Sequence, residues 1–110
     1  MIEQLEKLLD GPRDGPLLRF SLGNAYLKAG QAERAADFYR DALARDPDYS
    51  AAWQGLGKAL AEAGQPAQAW DIYQQGIAVA QARGDIQAAR MMGVFAKRLA
   101  AVLDNKGKTA

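Results

Sequence analysis

The side chains able to do acid–base chemistry here are carboxylates and amines, since the 110 residues include no histidine and no cysteine. Without an imidazole there is no histidine general base, no serine–histidine triad and no histidine metal site. Without a thiol there is no disulfide, no thiolate metal site and no cysteine nucleophile. The carboxylates Glu3, Glu6, Asp37, Asp41, Asp46 and Asp48 fall on helical stretches or beside turns, where solvated charge and capping account for them. No glycine-rich phosphate loop follows a strand, because no stretch reads convincingly as a strand. The expectation is a chain that is not an enzyme and holds no cofactor or metal.

Cations are the other group that could do something. Net charge is only +1, yet residues 1–82 carry eight basic and eleven acidic side chains while 83–110 carry six and two. Arg83, Arg90, Lys97, Arg98, Lys106 and Lys108 are thus the one cluster suited to an anion or a nucleic acid. Nucleic acid is the weaker reading: no aromatic side chain is interleaved for base stacking except Phe95, which the helical period turns inward. Basic residues near a helix C-terminus also complement the macrodipole.

The elements that must position these groups follow from an internal repeat. Sliding the sequence by 34 residues aligns 16–49 with 50–83 at ten identities: Leu22/Leu56, Gly23/Gly57, Ala25/Ala59, Ala29/Ala63, Gly30/Gly64, Gln31/Gln65, Ala35/Ala69, Asp37/Asp71, Tyr39/Tyr73 and Ala44/Ala78. Apolar and small residues recur at helical spacing on either side of Gly30-Gln31 and Gly64-Gln65, so each repeat reads as two helices joined by a tight turn. Leu18, Leu22, Ala25 and Ala29 share one face of the first helix, and Ala35, Tyr39 and Ala42 share a face of the second. Gly23 and Gly57 would cost about 1 kcal/mol each against alanine in a helix interior, so close packing must compensate. We expect the crossing to use Gly23 and Gly57 against Ala35 and Ala69, with Tyr39 and Tyr73 filling the wider part of the wedge.

Flanking signals complete the outline. Residues 2–9 place Ile2, Leu5 and Leu9 on one side of a short helix stopped by Asp10-Gly11-Pro12. Pro47 ends the second helix of repeat one, with Ser50 as the N-cap of the next. Gln81 stands where repeat two would have its proline, so that helix should run on to Arg83-Gly84, with Asp85 capping a long helix over 85–103. That helix sets Met92, Phe95, Leu99 and Val102 opposite Arg83, Arg90 and Lys97. Residues 105–110 read as a frayed tail. The expectation is one all-α domain over 1–104. Its first residues mix charge with apolar groups and contain no run suited to a signal peptide or membrane span; with the lack of cysteine this suggests a cytoplasmic chain.

Trp53, Leu56, Gly57, Leu60, Ala69 and Tyr73 in repeat two, and Leu22, Gly23, Tyr26, Ala35, Tyr39, Ala42 and Pro47 in repeat one, resemble the tetratricopeptide repeat signature. The chain looks like a small two-repeat member of bacterial type, departing from the pattern at Arg19, where the family has tryptophan, and at Gly76 and Gln81. The resemblance implies an α-α superhelix whose first helices line a concave groove for a peptide or helix of a partner protein. Carried over, the groove positions are Leu17, Phe20, Asn24, Leu27 and Lys28, then Ala51, Gln54, Lys58, Ala61 and Glu62, with Asp85, Arg90 and Met92 extending it. Phe20 has two readings, facing that groove or packing under the N-terminal helix. Of the carboxylate clamp that some members use for chaperone tails, only Asn24 matches; Phe20 and Gly55 stand where clamp residues belong, so chaperone-tail binding is not expected.

Self-association in a structural or assembly role is the alternative. A two-repeat stack leaves ends that expose side chains such as Met91, Val94 or Ile2, so the chain should be a monomer or a weak homo-oligomer.

Overall fold

The computed structural model describes residues 1–109, with side chains through Asn105. Six helices follow one another: α1 (Ile2–Glu6), α2 (Pro16–Lys28), α3 (Ala32–Arg45), α4 (Ser50–Glu62), α5 (Pro66–Arg83) and α6 (Ile86–Thr109). Each helix from α2 onward packs on its neighbours in sequence, while α2 touches α4 and α4 touches α6. That pattern is a stack of antiparallel hairpins, and it gives an elongated body of 50 × 31 × 18 Å.

Three helices end alike. Gly30, Gly64 and Gly84 have φ near +80° (80, 79 and 78°), the left-handed conformation that glycine adopts without a side-chain penalty. In each case two backbone bonds close the end: Gly30 N–H to Leu27 O and Gln31 N–H to Tyr26 O, Gly64 to Ala61 and Gln65 to Leu60, Gly84 to Gln81 and Asp85 to Ala80. This is the Schellman arrangement, which satisfies the last carbonyls of the helix and reverses the chain. The expected breaks at Gly30-Gln31 and Gly64-Gln65 are therefore hairpin turns, and Gly84 makes a third.

Between repeats the chain turns differently. α3 stops at Arg45, two residues before Pro47, and Trp53 Nε1–H donates to the Pro47 carbonyl at 2.8 Å, tying α4 to the linker. Ser50 is the first residue of α4 and not its cap; the cap position belongs to Tyr49, whose ring packs 4.9 Å from that of Phe20. Asp85 does cap, accepting from Ala88 N–H at 3.2 Å. α5 runs to Arg83 as expected, and the Arg83 guanidinium reaches back to donate to the Asp48 carbonyl.

The core shows how the glycines repay their helical cost. A Cβ on Gly23 would lie 2.7 Å from Tyr39 Cε1, and one on Gly57 would overlap the Tyr73 ring. The tyrosines thus occupy the space the glycines vacate, where Ala35 and Ala69 had been expected to meet them. Tyr39 and Tyr73 are 1% and 2% exposed. Gly76 is squeezed likewise: a Cβ there would sit 2.6 Å from Met92 Sδ and 2.7 Å from Trp53 Cβ, which explains glycine where the repeat pattern has alanine.

At the N-terminal end Ile2, Leu5 and Leu9 pack on the core although α1 itself ends at Glu6. Arg19 fills the tryptophan position with an ion cluster: its guanidinium binds Asp14 at 2.6 Å and Asp41 at 3.2 Å, with Asp10 at 3.6 Å. Asp41, read from sequence as a solvated charge, is a member of that cluster. Glu6 is another correction, since it accepts from the buried Tyr26 hydroxyl at 3.0 Å.

At the other end α6 continues to Thr109, well past residue 103, so the frayed tail expected from Asn105 is helical as far as it is described and Ala110 lies outside the described residues. Its inward face also differs from expectation. Met92 and Ala96 are buried and Phe95, Leu99 and Leu103 half-buried, whereas Val102 is 46% exposed, because the seam advances 92, 96, 99, 103 at the helical period. Among the described residues no helix is long and apolar enough to cross a membrane.

Candidate functional site

Two concavities lie along the first helices of the hairpins. One, of about 230 Å³, is lined by Phe20, Asn24 and Leu27 from α2, Ala51, Gln54, Gly55 and Lys58 from α4, and Tyr39 at its floor. The other, of about 260 Å³, is lined by Lys58, Ala61 and Glu62 from α4, Phe95, Arg98 and Leu99 from α6, and Tyr73 beneath. Lys58 borders both, so the two form one strip across α2, α4 and α6.

The strip is apolar at its base and charged at its rim. Phe20 packs against Tyr39 with ring centroids 5.9 Å apart and against Tyr49, so it faces this side of the stack and does not pack under α1. Tyr73 meets Phe95 at 5.8 Å, and the Arg98 guanidinium lies 5.8 Å over the Phe95 ring. The Tyr39 hydroxyl donates to Asn24 Oδ1 at 2.5 Å. Burial, with the Glu62 carboxylate adding to it, pushes the Tyr39 and Tyr73 hydroxyls up to about 12, so both stay neutral donors at ordinary pH.

Of the positions singled out from sequence, the structure brings together Phe20, Asn24, Leu27, Ala51, Gln54, Lys58, Ala61 and Glu62. Lys28 is elsewhere: it lines a shallow depression with Met1, Ile2, Glu3, Ala25 and Ala29, on the α1 side. Leu17 and Arg90 are exposed but line neither concavity, and Asp85 is engaged as a cap. Met92 is a correction: it is 0% exposed, held between Gly76 and the tyrosine layer, and cannot touch a ligand in this fold. Sequence reasoning missed Tyr39, Tyr73, Gly55, Phe95, Arg98 and Leu99 as lining residues. The helical period held the signal for the last three, since Phe95, Arg98 and Leu99 are spaced i, i+3, i+4 and share a face.

Hairpins stacked with small-to-tyrosine contacts and a concave strip across their first helices define a helical-repeat solenoid. The tetratricopeptide repeat family model matches residues 26–92, and the chain belongs to that family. It is 50% identical over 99 residues to the TPR repeat-containing protein PA0015 of Pseudomonas aeruginosa, covering 90% of this chain and 94% of that protein. Among solved structures it is similar to protein BPP2914 of Bordetella parapertussis, with a TM-score of 0.82 at 42% identity over 92% of this chain and 88% of the other. It is also similar to the Sgt2 TPR domain of Aspergillus fumigatus, with a TM-score of 0.83 at 25% identity over 97% and 68%. Domains of this family are generally protein–protein interaction modules.

Proposed function

We propose that the chain is a non-catalytic adaptor of the cytoplasm that holds a peptide or helix of a partner protein along the strip running from Phe20 to Arg98. The observation that carries this reading is the continuity of the strip through Lys58, which leaves an apolar base about as long as three adjacent helices are wide. Phe20, Leu27, Phe95 and Leu99 offer apolar contact, while Gln54, Lys58 and Arg98 offer donors to a peptide backbone or carboxylate. Packed helices keep the strip pre-formed, so most of the ordering cost of binding falls on the partner.

Asn24 is a poor residue to mutate first, because its side chain also holds the Tyr39 hydroxyl. The test is affinity capture from the source cell with the unaltered chain, Lys58→Glu and Lys28→Glu. A protein retained by the unaltered chain and by Lys28→Glu but lost by Lys58→Glu supports the strip. Equal retention by all three overturns it.

A further inference from the structure

Among the described residues the last helix of the stack is a first helix. At an offset of 36 residues Trp53, Leu56, Gly57 and Leu60 of α4 correspond to Ala89, Met92, Gly93 and Ala96 of α6. Burial follows the same correspondence: Leu56 and Met92 are 2% and 0% exposed, Leu60 and Ala96 3% and 4%. α6 is therefore the first helix of a third repeat that has no second helix among the described residues.

The glycine of each repeat shows what such a second helix supplies. Gly23 is covered by the Tyr39 ring from α3 and Gly57 by the Tyr73 ring from α5, each so closely that a Cβ would collide with it. A Cβ on Gly93 would meet nothing within 4 Å. No ring of the described chain covers Gly93, and the helix surface there is open. It lies on the flank of α6 shared with Ala89, Lys97 and Ala100, away from the Phe95 and Arg98 flank that borders the groove.

We propose that this flank of α6 docks an acidic amphipathic helix of another protein, whose tyrosine or phenylalanine ring enters the Gly93 notch and completes the third repeat. The ring follows from the two filled notches of the same chain. The helix follows from what delivers those rings, α3 and α5. The acidic character follows from charge: Arg90 and Lys97 stand exposed beside the notch, against Asp104 as the one acidic residue of α6. A second copy fits less well. Two α6 helices crossing at Gly93 would set Arg90 and Lys97 of one against those of the other, and residues 1–17, at the opposite end of the stack, contain no aromatic ring.

The probe is a synthetic peptide with the α3 sequence, residues 32–45, carrying Arg34→Glu and Arg40→Glu; its tyrosine already seats beside the glycines of α2 and α4. It is titrated to millimolar concentration into the isotope-labelled full chain and followed by amide chemical shifts. We expect shifts clustered at Ala89, Gly93, Ala96, Lys97 and Ala100, at least tenfold weaker binding by the peptide with Tyr39→Ala, and loss of binding in Gly93→Leu. A chain with Arg90→Glu and Lys97→Glu leaves the notch intact and should also bind at least tenfold more weakly, which keeps the test independent of how Gly93→Leu folds. Absence of shifts, shifts centred on Phe20 and Lys58, or indifference to these substitutions would overturn the proposal. So would the same shifts appearing on concentrating the chain without peptide, which would assign the flank to a second copy.

Discussion

The Tyr39 ring stands where a side chain at Gly55 would be: a Cβ there would lie 2.5 Å from Tyr39 Cε1. Because the same ring also covers Gly23, one tyrosine wedges α3 between two successive first helices. Alanine at Gly23 or Gly55 must displace that buried ring, so each substitution should cost about 1–3 kcal/mol, less the helix propensity gained. Denaturant unfolding of each variant checks this, and an unchanged midpoint would show that the ring moves freely.

Gly93 should behave in the opposite way. Its Cβ enters open space, so Gly93→Ala gains the helix propensity of alanine without a clash and should stabilise the chain by about 0.5–1 kcal/mol. On a domain of this size that is a rise of roughly 2–8 °C in melting temperature. A fall in stability would mean that something already occupies the notch in solution.

Acid should lower stability through the Arg19 cluster. The hydrogen bond from Arg19, followed by one from the Asp10 backbone N–H, holds the Asp14 carboxyl well below the usual carboxylate range. A carboxyl depressed in the folded state stabilises above its unfolded value of about 3.9, and that contribution disappears as pH falls towards the folded value. Asp14→Asn should therefore weaken the chain at neutral pH and flatten its stability profile at pH values below about 4. A variant with an unchanged acid profile would remove Asp14 from the account.

Alkali should act on the wedges. With Tyr39 and Tyr73 pushed up to about 12 by burial, the neutral hydroxyl is favoured in the folded chain. Their contribution is whole below the unfolded value of about 10 and is lost as pH rises towards 12. Ultraviolet titration of phenolate should show these two hydroxyls ionising together with unfolding, and Tyr39→Phe should remove part of that alkaline dependence. Early ionisation with the helices intact would contradict their burial.

Much of this fold was legible in the sequence because its constraints are local. The turn at Gly64-Gln65 needs a left-handed residue after a helix, and glycine announces it; Gln81 in place of proline announces the longer α5. The register of α6 was not legible in the same way. An offset of 34 aligns the two full repeats, but the longer α5 moves the third to 36, so Met92-Gly93 was not aligned with Leu56-Gly57 and Met92, though read on the apolar face of its helix, was also given a place in the groove. Arg19 was unreadable for another reason: its partners Asp14 and Asp41 come from a loop and from the next helix, 22 residues away in the case of Asp41.

By itself the sequence determined the helices, their hairpin turns and the absence of histidine and thiol chemistry, since composition, period and turn residues act over a few neighbouring positions. Only the tertiary structure decided that Gly23, Gly55 and Gly57 are covered by tyrosine rings and that Gly93 is not. That depends on a tyrosine arriving from another helix, and no spacing along one helix records whether such a partner is present.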